Sequence, residues 1–298
     1  MKLEEVKRTA VVGAGLMGSQ IAEILSRVGG YEVKMVDTND ELVGKGVQAM
    51  EDRLERFFVD KGKMTAEEKK DIVGRIKGST SIEEAVKDVD IVIEAILENL
   101  SLKRDILRKL DESTPPQAIL ASNTSYQNIS EMALATKRPE RVVGTHFFNP
   151  VAMMRLVEVV RGARTSDETV EVTCGLARKL GKEVVVCWDT SYGFLANRAY
   201  RAIVEESIQI VWERVASPED IDKALRLGYN LPQGPLELFD FVGGWQLIAS
   251  SEQDAMRELG PEKGHLHPLI RMMIRAGYSN IYDFWKDMLS KSRRKAIE

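Results

Sequence analysis

The sequence predicts an α/β protein, with a doubly wound, mostly parallel sheet followed by an all-helical region. Three observations point there. An apolar run at Arg8–Val12 ends in a glycine-rich turn that opens at once into helical spacing. Further apolar runs then alternate with helical patterns as far as about residue 188, and beyond Asp189 no strand pattern of useful length recurs. Alternation of this kind implies parallel pairing, because each crossover helix must cover a face of the sheet. The change of pattern divides the chain into residues 1–189 and 190–298.

The totals fit such a chain and exclude several classes. With 298 residues and 44% hydrophobic content, a sizeable core is affordable in one large or two unequal domains. The net charge is -4 with both signs dispersed, so no face announces nucleic acid. One basic cluster, Lys291, Arg293, Arg294 and Lys295, reads as a solubilising tail. Cys174 and Cys187 lack paired metal-site spacing, which argues against a disulfide scaffold or a metal centre and suits a reducing compartment. No apolar stretch approaches the roughly 18 residues of a membrane span, and the charged N-terminus does not read as a secretory signal. A cytoplasmic protein is expected.

In chain order, the first element is the strand at 8–12, followed by Gly13-Ala14-Gly15-Leu16-Met17-Gly18 and a helix marked by Ile21, Ala22, Ile24, Leu25 and Val28. Glycines there permit a tight turn and close approach of backbone to a pyrophosphate, whose charge the free N–H groups of the helix start can meet. The next strand, 31–36, runs into Asp37, where a carboxylate can take the adenosine ribose hydroxyls. Asp37 disfavours a 2′-phosphate and no arginine follows it, so NAD is preferred to NADP. This is a Rossmann-type unit.

Residues 40–77 read as a highly charged helical hairpin broken at Lys61-Gly62-Lys63, with Leu42, Val43, Val47, Met50, Leu54 and Phe57 as one apolar stripe. Arg53, Arg56, Lys61 and Lys63 make its tip basic, either as a solvated face or as a receiver of phosphate. Ser81 and Glu84 form a capping pattern, 90–95 is a buried parallel strand, and a helix at about 101–111 carries Lys103 near its start. The strand at 118–122 opens into Ser122-Asn123-Thr124-Ser125, which can cap the following helix or line a ligand site.

Two β-branched runs then flank Asn149-Pro150, so that a strand, a turn and a second strand can set His146 beside Glu158. Taken alone, a histidine next to Phe147 and Phe148 is more often a satisfied core or interface residue than a catalyst. A helix at about 166–180, a stop at Gly181 and the strand Glu183–Trp188 complete the sheet-forming part. From Gly193 onward the patterns are helical, with the principal loop at 230–235 and a break at Gly243-Gly244.

Taken together, these motifs resemble the L-3-hydroxyacyl-CoA dehydrogenase family over about residues 8–277. The matching stretches are 13–18, Val36-Asp37, 94–100 with Lys103, Ser-Asn-Thr-Ser at 122–125, and His-Phe-Phe-Asn-Pro at 146–150. They continue with Leu-Val-Glu-Val-Val at 156–160, Gly-Phe-Leu-Ala-Asn-Arg at 193–198 and Gly-Pro-Leu-Glu-Leu at 234–238. The resemblance implies NAD-dependent, reversible oxidation of (S)-3-hydroxyacyl-CoA to 3-oxoacyl-CoA, as in fatty-acid β-oxidation. It places a catalytic dyad on His146 and Glu158, substrate-oxygen contacts on Ser125 and Asn197, and nicotinamide-side contacts on Ala95, Glu98, Lys103 and Asn149. It also implies a CoA moiety at the basic hairpin, hence Arg53 and Lys61, and a homodimer built by the helical domain. The active site is then expected between the two domains. A dehydrogenase of free 3-hydroxy acids of the gulonate or carnitine type is the alternative within enzymes, and a non-catalytic structural relative is the alternative outside them.

Three departures stand out: Tyr192 where a proline is usual, Gln233 where a methionine is usual, and Tyr278-Ser-Asn-Ile-Tyr-Asp-Phe-Trp285 in place of a glycine- and lysine-rich close. The last bears on acyl-chain length.

Overall fold

The computed structural model describes residues 1–289. The basic cluster at 291–295 lies outside them. The chain forms two compact units, Met1–Phe194 and Leu195–Glu298.

The first unit is built on β1 (Arg8–Val12), α1 (Leu16–Arg27), β2 (Glu32–Val36), α2 (Asp40–Leu54), α3 (Ala66–Gly74), β3 (Ile76–Ser79), α4 (Ile82–Val86) and β4 (Ile91–Glu94). It continues with α5 (Leu100–Ser113), β5 (Ile119–Ser122), α6 (Ile129–Ala133), β6 (Val142–Phe147), β7 (Leu156–Arg161), α7 (Asp167–Lys179) and β8 (Glu183–Trp188). The strands form one sheet in the order β3-β2-β1-β4-β5-β6-β7-β8, parallel except for the antiparallel β6–β7 pair. Side chains alternate across it. Val11, Met35, Ile93 and Ala121 pack with Ile21 and Leu25 of α1 and Leu176 of α7 on one face. Val12, Val36, Val92 and Leu120 pack with Val86 of α4, Leu107 and Leu110 of α5 and Met132 of α6 on the other. Both faces are therefore covered, which is why the central strands are apolar throughout.

The hairpin region differs from its sequence reading in three ways. Its helical pattern stops at Gly74, because Ile76–Ser79 pairs with β2 as the edge strand of the sheet. Its buried stripe is Val43, Met50 and Leu54, while Leu42, in the first turn of α2, faces solvent, as does Phe57, where a π-helical turn at Glu55–Val59 shifts the helical phase after α2. Arg53 also lies before the tip, on α2 against α1. Its Nε donates to Glu23 Oε2 at 3.1 Å and its second amino group to Ser19 Oγ at 3.2 Å.

The second unit is helical: α8 (Ala196–Trp212), α9 (Pro218–Tyr229), α10 (Pro235–Phe241), α11 (Gly244–Ser250), α12 (Glu252–Leu259), α13 (Pro261–Gly264), α14 (Pro268–Arg275) and α15 (Ile281–Phe284). Its core joins Val204, Ile208, Ile221, Leu236, Trp245, Leu269 and Met273 to Ile281 and Phe284. The unusual closing segment is thus part of this core. The Tyr282 hydroxyl donates to Asp222, which also accepts the N–H groups of Leu236 and Glu237 at 2.9 and 3.0 Å and so caps α10. Asp240 accepts from Trp245 Nε1 and from the Ile281 N–H, and burial raises its pKa to about 6. No helix among the described residues is long and apolar enough to cross a membrane.

Candidate active site

The glycine turn is shaped by contacts that exclude side chains at two positions and leave a third open. Gly13 has φ +104, and a Cβ there would lie 2.6 Å from the Ala95 carbonyl oxygen; at Gly18 a Cβ would lie 1.7 Å from the Gly13 oxygen. Nothing stands within 4 Å of the corresponding point at Gly15, the N-cap of α1, and the first turn that follows carries backbone N–H groups with no intrahelical partner. At the end of β2, Asp37 Oδ2 accepts the Ala14 N–H at 2.7 Å and Oδ1 accepts the Thr38 N–H at 2.7 Å. Oδ1 also accepts from the Thr38 hydroxyl at 3.3 Å, so Oδ2 is the oxygen that keeps a lone pair for a ribose hydroxyl. An open cradle at a helix N-terminus, latched to a carboxylate at the next strand end, fits a dinucleotide with free ribose hydroxyls.

A buried charged hub orders the neighbouring strand ends. Glu94, fully buried at the end of β4, accepts from Lys103 Nζ at 2.8 Å, Ser122 Oγ at 2.6 Å and the Ile96 N–H at 2.7 Å. Lys103, only 1% exposed, also reaches Glu98 Oε2 at 3.2 Å. Burial works against its charge, but Glu94 and Glu98 outweigh that and hold its pKa above the ordinary lysine value. Glu98 Oε1 in turn accepts the N–H groups of Ser125 and Tyr126, both at 3.0 Å, and the Thr124 hydroxyl. Lys103 and Glu98 therefore shape the loop after β5, with the more exposed Glu98 facing outward. Ala95 stands between this hub and the glycine turn, its N–H bonded to Val12 oxygen at 2.7 Å.

The dyad follows from strand register. In the antiparallel β6–β7 pair His146 lies opposite Glu158, so both side chains emerge on one face. His146 Nδ1 is 2.7 Å from Glu158 Oε2, and Nε2 is 3.1 Å from Ser125 Oγ. A carboxylate accepts only, which puts the ring proton on Nδ1 and leaves the Nε2 lone pair facing the serine hydroxyl. Phe148 and Phe194 pack at 4.3 and 6.0 Å between ring centroids, giving the imidazole apolar walls. The structure thus brings His146, Glu158 and Ser125 together, with Glu98 one hydrogen bond away.

Other expected residues stand apart. Asn197 begins α8 in the second unit. Lys61 is exposed in the turn after the π-helical segment, whereas Arg53 is committed to Glu23. Several residues that shape the site carried no clear sequence signal. Asn123 Oδ1 accepts the Phe147 N–H at 2.9 Å, tying the end of β5 to the strand that carries His146. Buried Lys182 donates to the Val151 and Met154 carbonyls, closing the turn between β6 and β7, and burial together with nearby Arg27 lowers its pKa. Gln20 of α1 reaches the same turn from the cofactor side. Asn123 sits within a visible polar motif, but Gln20 and Lys182 look in sequence like any helix-face amide and post-helix lysine.

Known proteins are similar to this chain in sequence and fold. The model of the 3-hydroxyacyl-CoA dehydrogenase NAD binding domain matches residues 8–190, and that of the family's C-terminal domain matches 193–280. A Bacillus subtilis protein named "Probable 3-hydroxybutyryl-CoA dehydrogenase" is 44% identical over 274 residues, covering 92% of this chain and 94% of its own. Rat mitochondrial hydroxyacyl-coenzyme A dehydrogenase is 39% identical over 242 residues, which are 80% of this chain and 76% of that one. The crystal structure of (S)-3-hydroxybutyryl-CoA dehydrogenase from Ralstonia eutropha superposes with a TM-score of 0.86 at 38% identity, covering 93% of this chain and 99% of that one. This chain belongs to the 3-hydroxyacyl-CoA dehydrogenase family, with that family's NAD-binding domain in its sheet-containing part and its C-terminal domain in its helical part.

Proposed function

We propose that this chain interconverts short-chain (S)-3-hydroxyacyl-CoA and 3-oxoacyl-CoA, with His146 as the base and Glu158 as its orienting partner. The observation that carries the proposal is the His146 lone pair, aimed at Ser125 Oγ and backed by a fully buried carboxylate. Bound NAD supplies the hydride acceptor for oxidation. The glycine cradle at 13–18 and Asp37 hold its adenosine half, and Ala95, Glu98, Lys103 and Asn149 bound its nicotinamide side, Lys103 through the Glu98 carboxylate. When the 3-hydroxyl sits beside Ser125, Nε2 takes its proton, and Glu158 stabilises the imidazolium that forms. Ser125, relieved of its bond to Nε2, donates to the oxygen as it becomes a carbonyl, and Asn197 is assigned as the second donor. In reduction the same groups run in reverse, His146 returning the proton.

Purified protein given acetoacetyl-CoA is expected to consume NADH, and His146→Gln to lose most of that rate; a mutant as fast as the parent refutes the mechanism. Exposed Lys61 is assigned to a CoA phosphate, and Arg53 supports α1 through Glu23. We assign homodimerisation to the helical unit, whose Phe241, Tyr229 and Leu227 are exposed, and the cytoplasm as the compartment. Sedimentation of the whole chain tests the dimer.

A further inference from the structure

We infer that Gln20 is a positioning residue that fixes the polarity of the Asn149 amide, so that Asn149 meets the cofactor only as a hydrogen-bond donor. The inference rests on the proposed placement of Asn149 beside the nicotinamide half of NAD.

Gln20 is 5% exposed, one turn into the helix whose N-terminus forms the cradle. Its Oε1 accepts the Val151 N–H at 2.8 Å, and its Nε2 donates to the Leu16 carbonyl at 3.1 Å. A backbone N–H can only donate and a carbonyl can only accept, so these two partners leave the glutamine amide a single orientation. The remaining bond then has its sense decided: Nε2 donates to Asn149 Oδ1 at 3.0 Å. Asn149 has spent its acceptor on Gln20. Its Nδ2 finds no acceptor among the described residues, and the residue lies exposed, so what it offers a ligand is two N–H donors. The complementary group on a dinucleotide is a carbonyl or ribose oxygen. Orientation thus passes from the first turn of α1, through Gln20, to the turn that follows the His146 strand.

Gln20→Glu tests this, with NADH binding followed by fluorescence titration and folding by thermal denaturation. The introduced carboxylate keeps the bond from Val151 but cannot donate, so Asn149 turns its Nδ2 inward and presents Oδ1 to the cofactor. Mispairing a buried polar contact costs about 1–3 kcal/mol, so NADH affinity is expected to fall about 5- to 150-fold. Gln20→Met, which fills similar volume without fixing either orientation, is expected to lose less. In an Asn149→Ala background, itself weaker for NADH than the parent, Gln20→Glu is expected to have no further effect on affinity. A melting temperature that falls while NADH affinity stays at the parental value overturns the inference, as does an equal loss from Gln20→Glu with and without Asn149. Asn149→Ala binding NADH as tightly as the parent overturns it too. That result leaves the His146 mechanism to be judged separately, by turnover of His146→Gln.

Discussion

Two buried charged centres of the sheet-containing unit, His146 with Glu158 and Lys103 with Glu94, are positioned by opposite means. The dyad sits on facing positions of one ladder, so the backbone hydrogen bonds of β6 and β7 place it. The hub joins a strand end to a helix nine residues later, and there the side chains themselves hold the backbone: Glu94 fixes Ile96, and Glu98 fixes Ser125 and Tyr126. The proposed chemistry thus falls to the centre that backbone pairing places, and loop shape to the centre whose side chains hold the backbone.

Substitutions should separate the two. The largest effect is expected at His146→Gln, a loss of about 10²- to 10⁴-fold in kcat/KM with NADH affinity and melting temperature near parental values. If that variant unfolds, the sheet alone does not support the dyad. Lys103→Met should behave inversely. Removing one partner of a buried ion pair costs about 3–5 kcal/mol, read as a lower urea midpoint, with turnover lost through the 122–126 loop rather than through the base. A variant as stable as the parent would erase the contrast. Glu158→Gln sits between them. It keeps an acceptor for Nδ1–H but not the charge that steadies imidazolium, so about tenfold to hundredfold of kcat should go with little change in stability.

The smallest effect is a pH signature of the hub. The Lys103 pKa is raised in the folded protein above an ordinary value of 10.5, so its charge contributes stability that is fully present below that value. The contribution is lost as pH climbs through the raised pKa. Denaturation midpoints of parent and Lys103→Met should therefore converge only under strongly alkaline conditions, and convergence already near neutrality would deny the hub its charge.

The same contrast explains what could be read without the structure. The dyad was legible because its two residues share a hairpin-like segment, where period and break residues set the pairing. Strands such as Ile91–Glu94 and Ile119–Ser122 were legible because burial on both faces makes them apolar. Ile76–Ser79 was not: as an edge strand it buries only Ile76 fully, and Lys77 and Gly78 gave it the look of a helix end. A charge at position 94 or 103 looks in sequence like any surface charge, and its burial depends on a partner brought in by the fold. Gln20 is similar, since its importance comes from two backbone groups 135 positions apart, at Leu16 and Val151.

The single antiparallel step in the sheet also bears on how the protein assembles. Every parallel neighbour requires a crossover through a helix, whereas β6 and β7 are joined by the short segment 148–155, and His146 meets Glu158 across 12 residues. Closing so short a loop carries little entropy cost. The proposed proton-transfer pair is thus a contact local in sequence, and it needs no crossover helix to bring its two residues together. The cofactor cradle, by contrast, depends on pairing β1 with β2 and β4, whose paired residues lie 24 and 82 positions apart in the chain.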